Sequence, residues 1–307
     1  MPRRVRDPSA TAHSCAHPLG PATPPNQGAS HHEPHPRRPA ARRPSPARRA
    51  HHPGAGRGGG PVSTRVLRFG DPHVNFHLLV DGTDLTLVDA GLPSHLPLLE
   101  AGLERIGRRL DDLRAVLVTH GHLDHLGLAG PLTQRTGAEV WVHAEDAPLL
   151  ADPLRGNAKS PTEGNVLRYA LRRPSALRTP VHFARRGMLR TRPVRAPRTF
   201  RGGEQLDVPG RPFAVHAPGH TPGSAVFLLP GGAAAFTGDA LVTADTVGGR
   251  SGPSLVCRAF TRDSAQALRS LEAMADLDAD TVHPGHGEPW PGGLADAARR
   301  ALAAGQV

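Results

Sequence analysis

Cysteine is nearly absent from this chain, which has two in 307 residues, Cys15 and Cys257. That excludes a disulfide framework and any cysteine-based zinc finger, and it suits a reducing compartment. Lysine is scarcer still, with Lys159 alone against 36 arginines. Surfaces shaped for phosphate usually mix the two, because lysine serves as a compact point charge. The lopsided ratio, together with 35 Gly and 33 Pro, is rather the imprint of Arg-rich codon usage. No run approaches the ~20 apolar residues needed to span a bilayer. The basic start (Arg3, Arg4, Arg6) leads into polar, Pro-rich sequence and lacks the apolar stretch of a signal peptide. These absences predict a cytoplasmic protein with no membrane partner.

The charge that is present is unevenly placed. Residues 1–60 hold 10 Arg against two acids, Asp7 and Glu33, with 12 Pro, 7 Gly and 7 His and no Phe, Trp or Tyr. Such a stretch buries too little apolar area to offset its ordering entropy, so it reads as a disordered basic tail. Of the formal +10, the tail carries +8 and residues 61–307 only +2. Within those, residues 164–203 contain 11 Arg and no acid, which leaves everything else in 61–307 at −9. Nucleic-acid binding is therefore an unneeded explanation of the basicity. The electrostatic question narrows to one segment.

From Val66 the texture becomes that of short β-runs and turns. Residues 66–69, 74–80 and 85–89 read as a strand meander, with Asp81-Gly82 as one of its turns. Leu96, Leu99, Leu103, Ile106 and Leu110 recur at helical spacing. The continuous apolar run 115–119 suits a strand buried on both faces, and a helix over about 126–136 and a strand at 139–142 follow. An Arg-rich insertion at about 153–203 carries two short helical patterns, 166–171 and 181–189. Strand patterns at 205–208, 213–216, 225–229 and 234–237 form a second meander. A helix at 264–274, a strand at 281–283 and a helix at about 294–303 complete the chain. Two similar β-rich halves with helices between them predict two packed sheets with helices outside.

The chemistry is concentrated in Thr119-His120-Gly121-His122-Leu123-Asp124-His125, directly after the buried strand. In an extended loop, residues two apart point the same way, so His120 and His122 can share one ion. Asp124 and His125 point elsewhere and can serve a second. Imidazole with carboxylate suits zinc, and also iron or manganese. An isolated His-x-His is usually a solvated turn. Here three further metal-competent side chains stand on Gly/Pro turns at strand ends: His220 in PGHTPG, Asp239 in FTGD and His286 in PGHG. That is the arrangement expected when separate strands converge on one site.

This ordered series, HxHxDH, then His, Asp and His, resembles the metallo-β-lactamase superfamily, and Val88-Asp89-Ala90-Gly91 resembles that family's first motif. The match runs from about Val66 to Ala303. The resemblance implies a four-layer αβ/βα sandwich (an α/β fold) as one domain spanning 61–307, with the insertion at 153–203 covering the site. It implies that His120, His122 and His220 bind one metal, that Asp124, His125 and His286 bind the other, and that Asp239 bridges the two. Asp89 then orients a ligand through a hydrogen bond. It further implies two Zn2+ per chain, with Fe or Mn as substitutes, and a hydroxide held between them that attacks an ester, thioester or lactone carbonyl, with Asp124 accepting the water's hydrogen bond.

The expected partner is a small-molecule substrate, anionic if the arginines of 164–203 steer it. Monomer and dimer both stay open. Two other readings compete with the hydrolase of the glyoxalase II-like or lactonase-like branch: a mononuclear iron persulfide dioxygenase, and a metal-dependent nuclease, which lacks support in the absence of a β-CASP-like domain. The Lys and Tyr substrate pattern of a true glyoxalase II is missing. Tyr169 is the only tyrosine and reads as packing before it reads as a substrate contact. The remaining histidines of the body, His73, His77, His95, His143, His182, His216 and His283, are expected at surfaces or strand ends, with His216 and His283 the nearest of them to a ligand-supporting role.

Overall fold

The computed structural model describes residues 64–306, and the tail assigned to 1–60 lies outside them. The meander forms β1 (Arg65–Gly70), β2 (Asn75–Asp81) and β3 (Asp84–Val88), antiparallel neighbours in chain order. Helix α1 (Leu96–Arg105) returns the chain to β4 (Leu113–Leu117), which lies parallel to β3. The helical pattern after the histidine run is split in two, α2 (Leu123–Leu126) and α3 (Ala129–Thr136), and α3 ends on Gly137 in the left-handed conformation at φ 74°. A glycine bears that backbone without Cβ strain. β5 (Glu139–His143) follows, parallel to β4.

The segment 147–190 is helical, with α4 (Ala147–Ala151), α5 (Pro153–Lys159), α6 (Val166–Arg172) and α7 (Arg178–Arg185). Each of α5 and α6 is capped by a side chain accepting from a first-turn N–H, Asp152 from Arg155 and Asn165 from Leu167. β6 (Arg198–Phe200) then completes a six-stranded sheet in the order β1-β2-β3-β4-β5-β6.

The second half builds β7 (Glu204–Gln205), β8 (Phe213–His216), β9 (Ala225–Leu228) and β10 (Ala235–Gly238), again antiparallel in chain order. A hairpin, β11 (Val242–Asp245) and β12 (Arg250–Ser254), precedes α8 (Ser264–Met274). β13 (Val282–Pro284) joins β10 in parallel, and α9 (Leu294–Ala304) closes the described chain.

Three apolar clusters correspond to the three interfaces of a four-layer sandwich. Leu99, Leu103 and Leu132 pack with Leu87 and Val116 between the helices and the first sheet. Leu79, Leu117, Phe200, Ala214 and Phe227 meet between the two sheets. Leu271, Met274, Ala297 and Ala301 pack with Val226 and Val282 under the second sheet. The fully buried Phe76, Phe200, Phe227 and Phe236 each contribute roughly 2–3 kcal/mol of burial. β4 is buried at four of its five positions, as its unbroken apolar run requires when helices cover one face and a second sheet the other. The observed architecture is the αβ/βα sandwich implied by the resemblance.

His216 and His283 take the ordinary strand roles favoured for them rather than supporting ligands. His216 stacks on His143 with ring centroids 3.9 Å apart and bonds the Pro222 carbonyl at 2.8 Å. His283 lies against Phe236 and His77, at 5.2 and 5.1 Å. Neither hydrogen-bonds to a predicted metal ligand, because both side chains stand on strands short of the loops that carry those ligands.

The His77–His283 pair sits between the strands with His77 Nε2 and His283 Nδ1 lacking hydrogen-bond partners. Burial, and then the Arg68 charge, lower His283 to about 4, and burial with His283 beside it holds His77 well below its ordinary value. The folded protein therefore binds fewer protons here than the unfolded chain between pH 6.5 and about 4. Stability from this source is complete above 6.5 and is lost as pH falls toward 4, by roughly 3 kcal/mol for His283 at about 1.36 kcal/mol per unit. Urea melts at pH 7 and pH 4.5 will show this loss, and His283→Gln will diminish it.

Candidate metal centre

All seven predicted ligands come together at one edge of the two sheets. β4 ends at Leu117, and the chain then runs extended into the loop that carries His120 and His122. Asp124 and His125 lie on α2, a single turn whose first residues face the same space. His220 comes from the loop between β8 and β9, Asp239 from the end of β10 and His286 from beyond β13. Two loop glycines make the convergence sterically feasible. At Gly219 (φ 135°) a Cβ would fall 2.2 Å from the Ala267 nitrogen on α8. At Gly238 (φ 49°) one would fall 2.3 Å from Thr119 Oγ1.

Three aromatic nitrogens meet on one side: His220 Nε2 is 2.8 Å from His122 Nδ1 and 3.2 Å from His120 Nε2. On the other, His286 Nε2 is 3.1 Å from Asp239 Oδ2 and 3.4 Å from Asp124 Oδ2, while His125 Nε2 lies 3.5 Å from Asp124 Oδ2. Asp239 spans the two groups, at 3.4 Å from His220, 3.9 Å from His120 and 3.5 Å from His125. The donor atoms of His120, His122 and His220 all lie within 4.8 Å of one another, and the same holds for Asp124, His125 and His286 and for His120, His125 and Asp239.

The ring orientations are fixed from behind. His125 Nδ1 donates to Asp89 Oδ2 at 2.9 Å. His120 Nδ1 meets Thr119 Oγ1 at 3.1 Å, and that hydroxyl in turn donates to Asp89. His286 Nδ1 donates to the His73 carbonyl. In each case a protein acceptor holds the Nδ1 proton and turns Nε2 toward the cluster. Asp89 also accepts the Thr119 backbone N–H at 2.8 Å, and it adopts φ 59°, an uncommon backbone for a non-glycine residue.

Asp146 is the residue the sequence reading missed. Fully buried after β5, it accepts from the Gly121 and Gly223 N–H groups at 2.7 and 2.8 Å and from the Thr221 hydroxyl at 2.7 Å. It thereby ties the His120–His122 loop to the His220 loop. The signal was absent from sequence because no ligand spacing surrounds Asp146. Thr221 and Ser224 fill the turn roles expected of them, with the Thr221 N–H donating to Ser224 Oγ at 3.0 Å.

The donor set fits divalent metal. A single proton on any of the three converging nitrogens can satisfy only one pair among them, so their lone pairs call for a shared cation. His125 Nε2 and Asp239 Oδ1, 3.5 Å apart and buried, have no hydrogen-bond partner. Electrostatics agree. Burial opposes charge on His125, yet Asp124, Asp239 and Asp89 together raise it to about 10. His286 rises to about 9 for the same reason, against its own burial, with Asp239 the chief carboxylate. Burial, then His125, holds His120 well below its ordinary value, and burial, then His122, does so for His220. The carboxylates thus demand positive charge while the buried imidazoles of the other group stay neutral, as ligands must.

A cavity of about 640 Å³ opens onto this cluster, with His122, Asp124, His220, Asp239 and His286 at its polar end. None of the 11 arginines of 164–203 lines it. Tyr169 packs on the buried cluster of Ala176, Val247, Cys257 and Ala259 and does not itself line the cavity.

A family model described as the metallo-beta-lactamase superfamily matches residues 69–286. An uncharacterized protein of Mycobacterium leprae is 32% identical over 222 residues, covering 69% of this chain and 86% of its own. The hydroxyacylglutathione hydrolase GloC of Haemophilus influenzae is 32% identical over 143 residues, which span 45% of this chain and 56% of that enzyme. Among solved structures, a metallo-beta-lactamase family protein from Thermus thermophilus is 29% identical with a TM-score of 0.59, covering 78% of each chain. With seven metal-competent side chains at the sheet edge, a matching family model and a matching fold, this chain belongs to the metallo-beta-lactamase superfamily.

Proposed function

We propose that the chain is a dinuclear zinc hydrolase acting on an ester, thioester or lactone carbonyl. The observation that carries this reading is the pair of donor groups sharing Asp239 at the end of a cavity. His120, His122 and His220 would hold one ion and Asp124, His125 and His286 the other, with Asp239 in reach of both. When bound, such ions polarise a carbonyl oxygen and lower the pKa of water from 15.7 toward about 7. Superfamily relatives carrying hydrolase names, among them the Haemophilus enzyme, support the reaction class.

The protein's own groups then have distinct tasks. Asp124, 13% exposed and lining the cavity, takes a proton from the attacking water at its carboxylate and returns it to the departing oxygen or sulfur. Asp89, through His125 Nδ1, and Thr119, through His120 Nδ1, keep both imidazoles in the tautomer that presents Nε2. The cavity walls position the acyl group and keep bulk water from the carbonyl.

A hydrolysis panel of thioesters, lactones, phosphodiesters and β-lactams on zinc-loaded full chain tests the proposal. Carbonyl substrates are expected to turn over and phosphodiesters not to. His122→Ala should remove about 10²–10³-fold in kcat/KM, because it deletes one of three nitrogens at the first group. One iron per chain with persulfide-dependent oxygen uptake would replace the hydrolase with an oxidoreductase.

A further inference from the structure

We propose that the cavity selects an uncharged, apolar acyl chain of medium length as the group attached to the cleaved carbonyl. This inference rests on the hydrolase reading above. It begins from the wall opposite the metal-facing end. Pro180, Phe183, Met188 and Leu189, on α7 and the turn after it, line the cavity together with Val247 in the β11–β12 turn and Val256 and Phe260 after the hairpin. Leu189 is 62% exposed and Leu154 40%, so apolar side chains extend to the mouth itself. A chain laid along this groove is desolvated on both sides.

Asn157, Thr179 and Asp245 in the wall do not ask for a polar ligand, because the protein already occupies them. Asn157 donates its amide to the Gly121 and Pro153 carbonyls at 3.0 and 2.8 Å. Thr179 Oγ1 bonds Thr246 Oγ1 at 2.6 Å and His73 Nδ1 at 2.9 Å. Asp245 accepts the backbone N–H groups of Val247, Gly248 and Cys257 at 3.1, 2.7 and 2.9 Å. Charge points the same way. No arginine or lysine lines the cavity, and the guanidinium of Arg173 is turned to the Thr246 and Val247 carbonyls. An anionic tail would lose its hydration without gaining a cation, and it would meet the Asp245 carboxylate. Ten of the 11 arginines of 164–203 are exposed and the half-buried Arg173 is held by the Thr246 and Val247 carbonyls, so they do not define what the cavity accepts.

The test is a series of esters with one leaving group and acyl chains from acetyl to dodecanoyl, alongside chains of equal length ending in a carboxylate, on zinc-loaded full chain. Each methylene is worth ~0.8 kcal/mol when buried, so kcat/KM is expected to rise about fourfold per methylene until the cavity is filled. The carboxylate-ended chains should fall at least tenfold below their neutral counterparts. Met188→Ala and Leu189→Asp, the second at the exposed rim, should each lower the decanoyl-to-acetyl ratio about tenfold. A flat length profile, or preference for the carboxylate-ended chains, with hydrolysis intact would overturn the inference and leave the hydrolase reading standing. Calorimetry of decanamide and acetamide on metal-free protein separates the two claims. Binding of decanamide alone, with a negative heat-capacity change, supports the apolar site even if no ester is cleaved. Absence of that binding counts against it.

Discussion

Replacing Asp239 with alanine is expected to lower kcat/KM by about 10³-fold, roughly 4 kcal/mol of transition-state stabilisation, while the fold persists. The expectation follows from position. Among the candidate ligands, Asp239 alone has a carboxylate within 3.9 Å of histidines of both groups, at His120 and His220 on one side and His125 and His286 on the other. On the proposed two-metal reading its loss would remove a ligand from each ion at once, and it also removes part of the negative charge that raises His125 and His286. Both histidines should then titrate at lower pH, an effect visible in their imidazole proton resonances. Asp239→Asn keeps the shape and one acceptor oxygen but not the charge, so it should fall between wild type and alanine in metal content. Thermal melts of the metal-free variants separate chemistry from folding. An Asp239→Ala protein that keeps near-native kcat/KM with full metal content would remove the bridging role.

The second large effect belongs to Asp146. Asp146→Ala leaves the buried Gly121 and Gly223 N–H groups without an acceptor, while the Thr221 hydroxyl keeps Ser224 Oγ at 2.8 Å. At about 1–3 kcal/mol for each of the two unsatisfied groups, the expected loss is roughly 2–6 kcal/mol. For a folded body of this size that corresponds to a Tm decrease on the order of 10–20 °C. Because Asp146 joins the loop of His120 and His122 to that of His220, metal affinity at the first group should fall more than at the second. Competition with a chelator, followed by the metal content per chain, reads that difference. Asp146→Asn retains an acceptor oxygen and should recover part of the stability. Equal loss at both groups would reduce Asp146 to a general stabilising role.

The candidate site was largely legible because metal chemistry constrains both residue type and spacing. His120, His122, Asp124 and His125 sit within six residues, and His220, Asp239 and His286 each stand on a Gly/Pro turn at a strand end, a pattern that survives without knowledge of contacts. Asp146 was illegible because its partners lie 25, 75 and 77 residues away, and nothing near it in sequence suggests three converging donors. The same division holds for the fold. The helix at 264–274 was readable from its apolar period and lies at those bounds, Ser264–Met274. Helices α4 and α5 are not among the helices expected from sequence, since they are only five and seven residues long and show no extended apolar period. Pro148 and Pro153 occupy their first turns, where a missing N–H costs nothing. β6 (RTF) and β12 (RSGPS) carry Arg, Thr, Ser, Gly and Pro rather than an alternating apolar pattern, and they are strands because a neighbour pairs with them. The arginines of 164–203 announced a charge but not a direction, and the inner face of that segment belongs to Phe183, Met188 and Leu189.

The central claim is that two cations share this cluster. Crystals of the full chain grown with zinc, measured above and below the zinc absorption edge, test it most directly. The account predicts two anomalous peaks per chain, one among His120, His122 and His220 and one among Asp124, His125 and His286, with Asp239 between them. A peak at neither position, or zinc bound only elsewhere on the surface, would contradict it.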